Sequence, residues 1–452
     1  MRRRLVVLAV FLTLALTPAL AGALPSMPSS KFGPSAGCGC HATLLEQWRV
    51  SMHAQALSDP LYQYKLGEAL EATDGQLADY CNACHSPIAV MAGEVKGTDL
   101  SGVSPQGLES VVCDMCHQVA GTEGPKPGNT SLKITGDGIK LAQLKDPQAP
   151  HAAAYSQFHE TAEFCGNCHD VDHPGNGMHL EATYTEWKNG PYAAEGIVCQ
   201  DCHMTPGAGV TKPNPGKAAG SGPEREHIYI MTFAGGNVGL GDAARAEERL
   251  KAAATVDLEL PEIVASGDVA LTSTITNVGA GHYLPTGLTE VRQMWLEVVA
   301  TDADGTELMK DRHDFGSVLK NEEGEYPVEL WEAVDFQSDD RIPPKGSVSD
   351  DWAFPMGIGP VTVTATLYYR SCSEEMAEGA GVDIPTTTMA SASKRVFVST
   401  EQKAEDATAE PATPDAEEPV AGGSGATLPL LIGAGVVAAG AAAFFFMKRG
   451  KR

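Results

Sequence analysis

Basic residues are scarce in this chain. Its 452 residues carry 32 Lys and Arg against 58 Asp and Glu, for a net charge of −26. That balance cannot neutralise a row of phosphates, so nucleic acid is excluded as a partner. Aromatic side chains are missing altogether from residues 400–426, TEQKAEDATAEPATPDAEEPVAGGSGA, which hold seven acids among Pro and Gly. Such a stretch cannot bury enough apolar surface to order itself, and a disordered, self-repelling linker is predicted over 399–426. The first apolar run is also too short to span a bilayer, which needs about 20 residues. MRRRLVVLAVFLTLALTPALAGALPS has three Arg, about a dozen apolar residues and small residues around Ala19-Leu20-Ala21. It reads as an export signal over 1–23.

The opposite end is long enough. Residues 428–447, LPLLIGAGVVAAGAAAFFFM, are uncharged and run straight into Lys448, Arg449, Lys451 and Arg452. A transmembrane helix with a basic cytoplasmic tail over 448–452 is predicted, with the body in the periplasm or at the cell surface. A sorting tail cleaved after translocation is the other reading. The remaining acidity is either a solvated surface or a docking face for a basic partner.

Cysteine is plentiful, at eleven residues, and eight of them fall in four C-x-x-C-H strings: CNACH (81–85), CDMCH (113–117), CGNCH (165–169) and CQDCH (199–203). Zinc or disulfides would explain paired Cys. Neither explains a His after the second Cys every time. Covalent haem c does. One helical turn brings Cys i and i+3 to one side, where both sulfurs can reach the haem vinyl groups, and the adjacent His points at the iron. The thioether positions are Cys81, Cys84, Cys113, Cys116, Cys165, Cys168, Cys199 and Cys202, with proximal His85, His117, His169 and His203. Like strings recur 84 and 86 residues apart, which reads as a two-haem duplication.

The words CHATLLEQWRVSMHAQALSDPLYQ, CNACHSP, VVCDMCHQV, FHETAEFCGNCHDV, LEATYTEWKNGPYA and IVCQDCHM resemble the multihaem cytochromes c. That family includes the tetrahaem carrier of ammonia oxidisers and the extracellular tetrahaem nanowire cytochromes. The likeness runs over about residues 38–237 and continues into a C-terminal β-domain through NVGAGHYLPTG. It implies helical or irregular haem packing and bis-His iron. It also places a first haem at Cys38-Gly39-Cys40-His41, one residue short of a full string. On a helix Cys38 and Cys40 point about 200° apart. Gly37 and Gly39 could free the backbone so that both bond, or Cys40 alone could bond with His41 proximal. A thiol pair is the bland alternative, with Cys38–Cys372 the disulfide to test.

Thirteen His less five proximal ones leaves eight. A continuous helix through HATLLEQWRVSMH would put His53 about 18 Å from His41, so His53 should reach another haem. A helix through PHAAAYSQFHETAEF would hold His151 and His159 about 12 Å apart, one for each of two haems. The resemblance adds His227 as a terminal ligand and His282 as a ligand from the β-domain. His173 and His179 are reserves, and His313 is a surface residue. Met115 and Met204 are read as packing.

The fold expected is multidomain: a mainly helical or irregular haem domain (31–245), then a β-sandwich of about seven strands (252–398), then the linker and membrane helix. VALTSTI, RQMWLEVVAT and VTVTATLYY alternate with a period near two, and Trp295, Trp331 and Trp352 are read as core. GDAARAEERLKAAAT is a predicted helix between the domains. The function expected is electron carriage through closely spaced haems outside the cytoplasmic membrane, between a redox donor and an acceptor, with self-assembly open. The alternative is an oxidoreductase acting on a small nitrogen or sulfur compound at a five-coordinate haem.

Overall fold

The computed structural model describes residues 24–409. The stretch read as an export signal, the apolar run at 428–447 predicted to span a membrane and the basic tail lie outside those residues. Among the described residues no helix is long and apolar enough to cross a membrane.

The first half is built from short helices joined by irregular segments. Pro60–Ala72 is the longest of them, with Pro at its first position and Asp59 accepting from Leu61 N at 2.9 Å as its cap. Pro87–Ala92 stops at Gly93, whose φ of 67° is the left-handed conformation that glycine adopts freely. Phe32, Leu45, Trp48, Ile88, Met91, Val112, Met115, Val119 and Leu132 form one buried cluster here. Burial of each large side chain contributes about 1.5–3 kcal/mol. Trp48 Nε1 donates to Val111 O at 2.9 Å, which satisfies its only polar atom.

Two helix predictions need correction. HATLLEQWRVSMH is not continuous: Ala42–Arg49 ends, and Met52–Gln55 begins after Ser51, which is extended at φ −83° and ψ 156°. Ser51 Oγ donates back to Trp48 O at 2.7 Å, the local competition by which serine interrupts helices. The segment around His151 and His159 is not a helix either. Ala153–Tyr155 is a strand paired in parallel with Lys140–Ala142, followed by a 3-10 turn at Gln157–Glu160. Helix begins only at Ala162.

From Ala254 the chain is rich in strands. One sheet has Ser347–Pro355, Asp268–Asn277 and Ala254–Glu259 in that order, and the other has Glu307–Phe315, Gln293–Thr301, Val361–Arg370 and Thr387–Val396. All these pairings are antiparallel. Val361, Val363, Ala365, Leu367 and Tyr369 alternate inward and share one core with Leu258, Leu271 and Ile275 of the facing sheet. Trp295 is buried and Trp352 packs on the same core. Trp331 lies outside that core, beneath the Lys65 ammonium at 5.2 Å. Ala243–Ala253 is a helix, capped by Asp242, that leads directly into the first strand.

The linker prediction fails over its start, since Thr400–Ala409 is helical. TEQKAEDATA is made largely of helix-forming residues, and Ser399 Oγ accepts from Gln402 N at 3.2 Å. The rest of the linker lies outside the described residues.

Candidate haem centres

Each C-x-x-C-H string folds as a helical turn. His117 N donates to Cys113 O at 3.0 Å, His169 N to Cys165 O at 3.0 Å and His203 N to Cys199 O at 2.9 Å. CNACH closes the helix Ala78–His85. The local geometry thus puts two thiols and one imidazole on a common side.

Four imidazole pairs face one another across the haem domain. Ring centres are 6.3 Å apart for His41 and His151, 6.3 Å for His53 and His169, 5.7 Å for His117 and His159, and 6.2 Å for His203 and His282. Two imidazoles on one metal need about 6 Å, from two bonds of about 2 Å and about 1 Å from each nitrogen to its ring centre. The observed separations match that requirement.

The outer nitrogens are engaged as metal-binding imidazoles require. Nδ1 meets Ala218 O at 2.6 Å in His41, Ala56 O at 2.7 Å in His85, Leu141 O at 2.7 Å in His117 and Ala234 O at 2.8 Å in His203. His169 differs, with its Nδ1 3.3 Å from Glu181 Oε1. These contacts fix ring orientation and leave Nε2 for a metal. On the facing side His282 Nδ1 meets Tyr283 O at 2.9 Å and His151 Nδ1 meets Ala152 O at 3.2 Å. His159 is turned the other way: its Nε2 meets Val119 O at 3.0 Å, which leaves Nδ1. Burial pushes His53 down to about 3 and His85, His159 and His203 to about 4, so all four are neutral and keep a lone pair at pH 7. Burial opposes charge on His169 too, but the Glu181 carboxylate outweighs it and the pKa rises to about 9.

Known proteins resemble this chain in part of its sequence and in its fold. Residues 37–118 match the family described as cytochrome c554 and c-prime. The penta-haem cytochrome c552 of Thermochromatium tepidum superposes with a TM-score of 0.61 at 21% identity, over 82% of this chain and all of that one. The fold is a multihaem cytochrome c fold. Two further solved structures cover only part of the chain: a putative beta-galactosidase from Bacteroides fragilis (10% identity, 32% of this chain, 16% of that one, TM-score 0.18) and Spo0M, a sporulation control protein of Bacillus subtilis (15%, 32%, 49%, 0.14). Such scores carry no argument. No curated protein matches the chain.

The residues present fit haem c beyond the imidazole spacing. Arg249 Nε and Nη1 and His227 Nε2 are buried without a partner. Orphaned donors of that kind suit the carboxylates that haem carries. In this multihaem cytochrome fold the attachment thiols of different motifs also touch. Cys38 lies against Cys113, Cys84 against Cys168 and Cys165 against Cys199. Cys116 and Cys168 border the same apolar cluster. The motif at 165–169 is therefore adjacent to three others and forms the junction of the array.

The fifth proximal imidazole has a different environment. Tyr62 stacks on the face of His85 at 3.5 Å and 8°, and its hydroxyl donates to Asn82 Oδ1 at 2.9 Å. Its ring lies alongside His85 and not across a metal's width from it. His227 does not supply the missing partner. Asn214 N–H donates to its Nδ1 at 2.9 Å, so the neutral ring carries its proton on Nε2, which cannot then ligate iron. The reserves are committed as well: His173 Nε2 to Trp331 O and His179 Nε2 to Asp170. His313 meets Asp350 through Nδ1.

Cys372 is fully buried beside Leu61, Ala377 and Ile384, and Cys38 lies against Cys113, so the two do not pair. The short string forms a 3-10 turn, Ser35–His41, that leaves helical angles at Cys38 (φ −85°, ψ 19°). Its His41 sits in the same arrangement as the proximal residues of the full strings.

Three further residues shape these centres without any motif signal. Asn277 is buried, accepts from Ala280 N at 3.0 Å and donates to His282 O at 2.9 Å. Glu186, from the helix Thr183–Lys188, accepts from Tyr283 N at 3.0 Å, from Thr286 Oγ1 at 2.7 Å and from Arg341 Nη1 at 2.5 Å. Both therefore hold the loop that presents His282 to His203. Glu181 is the third.

Proposed function

We propose that the protein is an electron-transfer cytochrome with five covalent haems, attached at Cys38/Cys40, Cys81/Cys84, Cys113/Cys116, Cys165/Cys168 and Cys199/Cys202. The imidazole pairs His41/His151, His53/His169, His117/His159 and His203/His282 hold four of the irons. The observation that carries this reading is the separation of those pairs, which fits two imidazoles on one metal and little else. Haem supplies one-electron redox chemistry; the chain supplies anchoring, ligands and burial. The touching thiols make neighbouring sites contiguous, which is what electron passage requires.

The sequence of the termini supports a setting outside the cytoplasmic membrane, with tethering by residues 428–447 and a redox donor and acceptor on either side of the array. Terminal reduction of an extracellular acceptor, and self-assembly, belong to the same proposal. The test is intact mass with spin resonance on the mature protein. Five haem adducts with four low-spin centres are expected, and a protein without covalent haem overturns the reading.

One observation favours a second reading beside the first. His85 faces no imidazole among the described residues, so a small nitrogen or sulfur compound can be bound and transformed there. A high-spin ferric signal that shifts on adding nitrite or hydroxylamine supports this. A fully low-spin spectrum removes it.

A further inference from the structure

Four of the five proximal imidazoles lean on a main-chain carbonyl, and His169 alone leans on a carboxylate. That carboxylate is held by design of the fold. Glu181 ends the strand His179–Glu181, whose register sets it opposite Val171, two residues beyond His169. Thr183 Oγ1 donates to the same Oε1 at 3.3 Å, and the Glu181 side chain is only 16% exposed. The strand pairing therefore delivers one negative charge to the outer edge of one ligand.

A carbonyl accepts a hydrogen bond as a dipole. A carboxylate draws the Nδ1 proton more strongly, makes the imidazole a better electron donor and stabilises the higher charge state of the metal it binds. The carboxylate end of this contact is the shielded one: the Glu181 side chain is mostly buried while the His169 ring is 53% exposed, so screening by water is partial. His169 also belongs to the junction motif, whose sulfurs meet those of Cys84 and Cys199.

We propose that Glu181 tunes the haem at His169, making the junction of the array its most reducing member. Electrons then do not rest at the crossing; they fall outward to the neighbours, including the site at His85, which has one imidazole among the described residues. This rests on the reading that His169 binds haem iron. Glu181 is a positioning residue here, acting only through His169.

Glu181→Gln is the informative change. It keeps the shape and one acceptor oxygen and makes His169 resemble the other four. A spectroscopic redox titration of the full haem-loaded protein at fixed pH should show the lowest-potential component shifting its ferric-to-ferrous ratio about tenfold, equivalent to ~59 mV upward, while the other components stay. The component is assigned with His53→Ala, which removes the imidazole facing His169 and must perturb the same one. Glu181→Asp, which restores charge at a shorter reach, should return part of the shift. A lowest component that stays in place, or a shift confined to a component insensitive to His53→Ala, overturns the proposal. Intact mass separates the two layers: an unmodified Cys165/Cys168 pair sinks the haem reading itself, whereas full haem loading with unmoved potentials sinks only the role of Glu181.

Discussion

The contact most open to a quantitative test joins the strand-rich region to the haem domain. Glu186 is 5% exposed and Arg341 9%, and the carboxylate serves Tyr283 N, Thr286 Oγ1 and Arg341 at once. Glu186→Ala strands the half-buried Tyr283 N–H at about 1–3 kcal/mol, while the half-buried Thr286 hydroxyl keeps Thr183 Oγ1 at 2.9 Å. Arg341 keeps its paired bonds to Asp339 at 2.8 and 2.9 Å, so the about 3–5 kcal/mol cost of an orphaned buried charge applies only in part. The expected loss is therefore about 2–4 kcal/mol. Glu186→Gln retains one acceptor oxygen and should lose about half of that. Because those donors hold the His282 loop, the loss should appear at iron as well as in unfolding. Carbon monoxide binds ferrous haem only where a coordination position is open. Wild-type protein should take up about one equivalent, at the His85 site, and Glu186→Ala should approach two, as His282→Ala does outright. The assays are guanidinium unfolding by far-ultraviolet circular dichroism and spectrophotometric carbon monoxide titration. A Glu186→Ala protein with the parent's midpoint and the parent's uptake would refute the argument, since it would show that the loop is held by something else.

Three other outcomes are expected. His227→Gln should leave the number of low-spin haems unchanged, because its Nδ1 already accepts from Asn214; loss of a low-spin signal would restore it as a ligand. Glu290 carries a buried oxygen without a partner, and burial pushes its pKa from 4.5 up to about 7. Between those values the folded protein holds more protons than the unfolded chain, so stability present at pH 4.5 is lost as pH rises through 7, by about 3 kcal/mol at 1.36 kcal/mol per unit. Glu290→Gln should accordingly raise the unfolding midpoint at pH 8 and leave it near the parent's at pH 4.5; equal gains at both would exclude the carboxyl as the cause. Cys40→Ala should lower the intact mass by one haem, since Cys40 precedes His41 as the second Cys precedes His in each full string; an unchanged mass would show that Cys38 alone suffices.

The helical turns of the C-x-x-C-H strings were legible because their geometry is local: one turn contains both sulfurs and the adjacent imidazole. The alternating strands were legible for the same reason, as Val361–Arg370 shows in its regular inward Val, Ala and Leu. What faces each proximal imidazole is set by tertiary structure. His53 meets His169 and His41 meets His151 across long stretches of chain, and no spacing rule encodes those meetings. The Ala-rich segment before His159 has the composition of a helix, but pairing with Lys140–Ala142 overrides that preference. His227 misled because nearness to a haem motif says nothing about tautomer, which a single backbone N–H at Asn214 decides. Glu181 and Glu186 lie in LEATYTEW, a stretch noticed for its resemblance but without a motif to mark either carboxylate.

One consequence concerns biogenesis. His282 is made well after Cys199, Cys202 and His203, and in the folded chain Asn277 and Glu186 hold the loop that sets it opposite His203. If haem is attached at Cys199 and Cys202 as proposed, the newly made chain passes through a stage in which that group is anchored with one imidazole alone, its redox poise unfinished until the strands behind it have zipped. On the proposed reading, completion of that imidazole pair is thus timed by the folding of a region that has no C-x-x-C-H string.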